Sequence, residues 1–257
     1  MLHLKLGLHH KSAKRLYYKP QKNMNKSDLS ETDKAFYQDG IKLAEIATKE
    51  KCTDQKLWQA TRQEQDAMGG LIDALSAEAK RHNITIDCKK GCTWCCHQPV
   101  YAVSHEFHFM WQFMQLNMTE AERKIILKKA FDNYQQKGRL SDEELKFNKL
   151  PCPLLVNGAC SIYDARPMAC RIYLSMSETS CKKFHNQPKD KTNFPALLEF
   201  PLQAGQMINE GFTEGLRNAK LYNTEYLLEE GLLIAHNNGE PIKNGDIKNN
   251  PLFMLHE

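Results

Sequence analysis

The chain has 257 residues, of which 9 are Cys, 35 are Lys or Arg and 31 are Asp or Glu, and 41% are apolar. That length suits one sizeable domain or two small ones, with enough apolar residues for a core. No apolar run approaches the roughly 18 residues that span a bilayer, and Lys and His break up the leucines of the first twenty residues, so neither a membrane span nor a secretory leader is expected.

The net charge of +4 is local. Residues 1–30 hold seven bases (Lys5, Lys11, Lys14, Arg15, Lys19, Lys22, Lys26) against Asp28, which leaves the remainder with 28 bases and 30 acids. This segment reads as a solvated, disordered tail rather than a nucleic-acid arm, with Met24 as an alternative start. No nucleic-acid or membrane partner is expected, and a cytoplasmic, bacterial protein is.

A first helix is expected from Ser30-Glu31-Thr32-Asp33 to about Lys51, and a second from Thr53 or Asp54 to about His82. Leu57, Met68, Leu71, Ile72, Leu75 and Ala79 keep a helical period along the second. Gly69-Gly70 in its middle suggests close packing or a bend. Ser104 is the expected cap of a short helix to Leu116, with Phe107, Met110, Trp111 and Met114 on one face. Capping boxes at Thr119-Glu122 and Ser141-Glu144 open two more helices, the first stopping near Gly138. Asp164 is the expected cap of a helix with Pro167 in its first turn. Two further helices follow at about 201–221 and 223–236. After Asn237 the chain turns rich in Gly, Asn and Pro and is expected to wrap the surface. No strand-period alternation is visible. The expected fold is mainly α, with helices around irregular cysteine-rich loops. Its segments are a tail to 30, a helical segment 31–85, a cysteine domain 86–185 and a helical C-terminal segment with a surface tail, 186–257.

Eight cysteines fall within 94 residues: Cys88, Cys92, Cys95, Cys96, Cys152, Cys160, Cys170 and Cys181; Cys52 lies apart. A disulfide framework suits short secreted chains without a core, which this is not. A bridge between adjacent Cys95 and Cys96 would be strained. Thiolates a few residues apart, with Gly91 to make the turn, can instead converge on metal. Thiolates select zinc, copper(I) or iron–sulfur clusters. Eight of them can serve two zinc ions, two clusters, or one cluster and a redox-active pair. The prolines flanking Cys152 favour an iron–sulfur cluster over zinc. C-x3-C-x2-C at 88–95 is also the spacing of radical S-adenosylmethionine enzymes. The adjacent fourth cysteine and the absence of a βα repeat speak against that class. No phosphate loop, G-x-S-x-G, HExxH or Rossmann fingerprint occurs.

The string Cys88-x3-Cys92-x2-Cys95-Cys96, joined to Pro151-Cys152-Pro153-Leu154-Leu155, Gly158-Ala159-Cys160-Ser161-Ile162-Tyr163, Arg166-Pro167-Met168-Ala169-Cys170-Arg171 and Cys181, resembles the YkgJ-type cysteine-cluster family, the CxxCxxCC domain. Its first gap here is three residues rather than two. The resemblance covers about residues 86–185. It implies chelation of zinc or iron by the eight cysteines and leaves the reaction, if any, and a protein or small-molecule partner undefined. Relatives of this kind are described as iron–sulfur oxidoreductases or linked to protein methylation, so an enzyme is the alternative, and an interaction module with structural zinc another. Arg166 and Arg171 are candidates to balance the charge of a bound cofactor, or to pair structurally with Asp164. His97, His105 and His108 lie near the cysteines but read as an ordinary loop histidine and core side chains, and Tyr163 and Tyr173 as half-buried aromatics.

Overall fold

The computed structural model describes residues 29–238, 247 and 250–254; the tail expected at 1–30 falls almost wholly outside them. Helix α1 (Glu31–Thr48) starts at Ser30, whose hydroxyl accepts the Asp33 N–H. Helix α2 (Asp54–Arg81) starts at Thr53, which accepts from Lys56 N–H. Such side-chain acceptors satisfy amide donors that have no partner in the first turn. The second helix runs unbroken through Gly69-Gly70, and nothing lies within 4 Å of a Cβ placed on either, so close packing is not their role.

Helix α3 (Ser104–Asn117) departs from expectation at its start. Val103 is the N-cap, while Ser104 exchanges hydrogen bonds with the Thr224 backbone. Glu106 supplies the missing acceptor by reaching back to the Val103 N–H. Residues 104–111 are buried all round rather than on one face, because the helix lies in the middle of the molecule. Helices α4 (Glu120–Lys137) and α5 (Asp142–Phe147) begin with complete capping boxes at Thr119 and Ser141. Asp164 caps no helix. It sits in a 3-10 turn (Tyr163–Ala165), and Pro167 is the N-cap of the one-turn α6 (Met168–Arg171).

Helix α7 (Glu178–Asn186) was not expected, although Ser177 caps it and Cys181 and Phe184 give it a buried stripe. Helix α8 spans Glu199–Asn218 and α9 spans Leu228–Asn238. The last helix starts later than expected because Glu225–Leu227 forms strand β4, paired antiparallel with β1 (Tyr101–Val103) in the register Tyr101↔Leu227. A second small pair joins β2 (Leu155–Val156) to β3 (Ala159–Cys160). Strands this short show no alternation in sequence.

Packing follows the order α4–α9–α3–α2–α1–α8, with α1 lying along α8. Phe107, Phe109, Met110 and Met114 of α3 meet Phe212, Leu216, Leu228 and Leu232 in the main core. Ile247, Leu252 and Phe253 are buried in the same core, so the described part of the C-terminal stretch is an anchor rather than a surface wrap. The cysteine-bearing loops sit against this frame between β1, α6 and the start of α8.

Candidate metal centre

All nine cysteines lie among the described residues, and none forms a disulfide. The first group is shaped by two tight turns. Gly91 takes φ 92°, a left-handed value that suits glycine, and the Cys92 N–H donates to the Lys89 carbonyl. Cys95 and Cys96 ride a 3-10 turn, Trp94–His97, with their thiols close enough for Cys96 to influence the ionisation of Cys95.

The second group is carried by three elements. Asn157-Gly158 forms the turn of the β2–β3 hairpin with φ 50° and 74°, and Cys160 ends it. That dipeptide is a strong hairpin signal. Cys170 sits in α6, and Cys181 in α7. The two groups are stitched together where the Cys152 N–H donates to the Cys96 carbonyl at 2.7 Å and the Cys88 N–H to the Ser175 carbonyl at 3.2 Å.

A cavity of about 190 Å³ lies between the groups, lined by Cys88, Cys92, Cys95, Cys96, Cys152, Cys160 and Cys170. Cys181 is not in its wall, but the Cys92 and Cys95 thiols are close enough to act on its charge. Much of the remaining wall is apolar, built by Val100, Leu154, Ile172, Leu197, Leu202 and Leu228. The last three come from outside the cysteine motif, where no pattern in the sequence marks them. Lys89 and Arg166 are the charged residues of the wall, and no carboxylate joins them.

Burial pushes up the thiols of Cys88, Cys92, Cys152, Cys160, Cys170 and Cys181, since a thiolate loses solvation there. Cys95 is raised first by the neighbouring Cys96 thiol and then by burial. Arg166 opposes the shift at Cys88, Cys95, Cys160 and Cys170. Its guanidinium lies 4.1 Å over the Tyr163 ring, and its buried Nε has no hydrogen-bond partner. Arg171 does different work. It donates from Nε to the Arg166 carbonyl at 3.0 Å, and from Nη2 to the Asp164 carbonyl and to Gln65 Oε1 at 2.8 Å, clamping the loop to α2. Burial, then the neighbouring Arg166, push its pKa down to about 10. The expected partner Asp164 is thus met through its backbone rather than its carboxylate.

The donor chemistry fits a thiophilic metal: seven cysteines and one arginine line a cavity that has no carboxylate in its wall. As the side chains stand, no three His, Cys, Asp or Glu among the described residues form a group ready to hold an ion. Binding would therefore have to draw the sulfurs inward and expel their protons. The histidines are engaged elsewhere. His97 Nδ1 bonds the Thr93 carbonyl and its ring meets His185 at 4.6 Å. His105 pairs with Glu64 and Asn223, and His108 with Asp54 and Gln112. Cys52 lies in the main core and outside the cavity wall.

Residues 87–193, less than half of the chain, match the sequence profile of the CxxCxxCC family, "Putative zinc- or iron-chelating domain". This is the family that the cysteine spacing resembles. No curated protein and no solved structure matches the chain.

Proposed function

We propose that the cavity is a thiolate metal centre in which Cys88, Cys92, Cys95, Cys96, Cys152, Cys160, Cys170 and Cys181 are the ligands and an iron–sulfur cluster is the favoured occupant, with zinc as the alternative. The carrying observation is that two cysteine groups about 55 residues apart in sequence open onto one carboxylate-free cavity. Thiolate-bound metal supplies cross-links and, in a cluster, one-electron exchange. Arg166 offsets the thiolate charge, Tyr163 holds Arg166 from one face, and Arg171 fixes the backbone from which Arg166 projects. The Tyr173 hydroxyl donates to Gln98 Oε1 at 3.1 Å and closes the side near Cys88.

The apolar wall favours a second reading, in which a small molecule or a side chain is bound beside the metal by an oxidoreductase or a protein-modifying, methyl-transfer-like enzyme. Anaerobic purification of the full chain with iron, zinc and acid-labile sulfide analysis tests the first reading. A brown protein that bleaches with dithionite supports the cluster. A colourless protein containing zinc and no sulfide overturns it in favour of zinc.

A further inference from the structure

The eight cysteines are carried by two groups of elements. One trio is Cys88 and Cys92, on one turn, with Cys181 on the neighbouring α7; the other is Cys152, Cys160 on the adjoining β2–β3 hairpin, and Cys170 on α6. The Trp94–His97 turn, which carries Cys95 and Cys96, touches α7 on one side and Cys152 on the other.

The backbone makes the same division. The first trio hangs on the 88–92 turn and on α7. These are tied by the Cys88 N–H to Ser175, the Glu178 N–H to Asp87 Oδ2 at 2.9 Å, and Trp94 Nε1 to Glu178 at 3.2 Å. The second trio hangs on Cys152, the β2–β3 hairpin and α6. These are tied by the Leu155 N–H to the Cys152 carbonyl at 3.0 Å, by the Ser161 N–H to the Leu154 carbonyl, and by Arg171 Nη2 to the Asp164 carbonyl. The vicinal pair stands between them, with the Cys96 carbonyl bonded to the Cys152 N–H.

We infer that the centre comprises two four-thiol metal sites, an outer one on Cys88, Cys92 and Cys181 and an inner one on Cys152, Cys160 and Cys170, each completed by one thiol of the Cys95–Cys96 pair. This rests on the metal-centre reading above. Four thiolates are the usual complement of a closed zinc site or of one cluster. The two sites differ in access. Gly91 and Lys89 beside Cys88 and Cys92 of the outer trio are exposed, while its third member, Cys181, is buried. Cys152 and Cys160 pack against the main hydrophobic core. The inner metal is a structural staple held by the frame, and the outer metal is exchangeable.

The test uses the reduced full chain with Zn²⁺ as the probe. Metal per chain is measured by mass spectrometry of the digested protein, and release to excess EDTA is followed in time. Two ions per chain are expected, one released at least tenfold faster than the other. Cys92→Ser should abolish the fast phase and keep one slowly released ion, and Cys181→Ser should reproduce this. Cys170→Ser should remove the slow phase. If that variant fails to fold, the two outer variants still decide the matter. One ion per chain, or loss of both ions together in Cys92→Ser and Cys181→Ser, overturns the division and leaves the metal centre standing. No ion bound by the reduced wild-type chain overturns the metal centre itself.

Discussion

Glu106 shows how much one side chain can hold. Its carboxylate accepts from Val103 N–H at the start of α3 and from Met168 N–H at the start of α6, while fully buried. Next to it His105 is also buried. Burial alone would lower its pKa, but the charge and hydrogen bond of Glu64 outweigh that, with help from Glu106 and Asn223, and the net shift is upward from 6.5. A raised histidine adds stability in full below 6.5, and that contribution is lost as pH rises through the folded value. The His105 ring should therefore titrate above 6.5 by NMR, and Glu64→Gln should bring the midpoint down; a ring titrating below 6.5 in the wild type would contradict the pair. Lys149 has the opposite sign. Burial pushes its pKa down from 10.5 to about 8, and its Nζ sits 3.6 Å from the Phe184 ring centre with no hydrogen-bond partner. The folded state sheds this proton first, so its contribution to stability grows with pH between about 8 and 10.5. Lys149→Met removes an unpaired buried amine and should leave the denaturant midpoint unchanged or raise it, and a lower midpoint would show that the amine is needed.

Among the helices, α1 and α8 approach closely enough for backbones to touch. A Cβ on Gly40 would strike the Ile208 carbonyl, and one on Gly211 the Tyr37 carbonyl, neither of which can move aside. Gly40→Ala or Gly211→Ala should cost about 1–3 kcal/mol or more in denaturant unfolding, as overpacking does. Gly69→Ala, at an open helical position, should instead add about 0.5–1 kcal/mol. A stabilised Gly40→Ala variant would contradict the contact. The contrast also marks what could be read from the sequence. Helices α1, α2, α4 and α5 announced themselves through Ser30, Thr53, Thr119 and Ser141, because capping is a local matter. Gly40 and Gly211 look like any other helix-weakening residue, since their partner is a backbone distant in sequence. The cysteine ligand candidates were legible from spacing, and Asn157-Gly158 could have disclosed the hairpin. Leu197, Leu202 and Leu228 in the cavity wall had no such signal, because the Ser175–Leu197 bridge, α8 and α9 bring them there. Val103 replaced Ser104 as a cap because strand pairing with Glu225 fixes the residue before the helix.

Across the whole molecule, the frame and the cysteine loops draw on different sources of stability. The core of α3, α8 and α9 contains Phe107, Phe212 and Leu232, all fully buried and none dependent on a ligand. Removing metal should open the cysteine segment to thiol labelling while most helical circular dichroism persists; complete loss of helix would refute a self-sufficient frame. Truncation after Asn238 should be costly, since it deletes Ile247, Leu252 and Phe253, at about 1.5–3 kcal/mol for each buried side chain. An unchanged denaturation midpoint would show that these anchors contribute little. The wide separation of the two thiol groups along the chain also governs the order of events during synthesis. The Cys88–Cys96 segment leaves the ribosome long before Cys152, and α8 and α9, which complete the cavity wall, emerge later still. Closing so long a loop before its reward is available is slow. An early thiol cluster thus has no native partner to wait for, and an ion captured by it alone would be held in the wrong company. Refolding with metal added after the frame has formed should give a higher yield of loaded protein than refolding with metal present from the start.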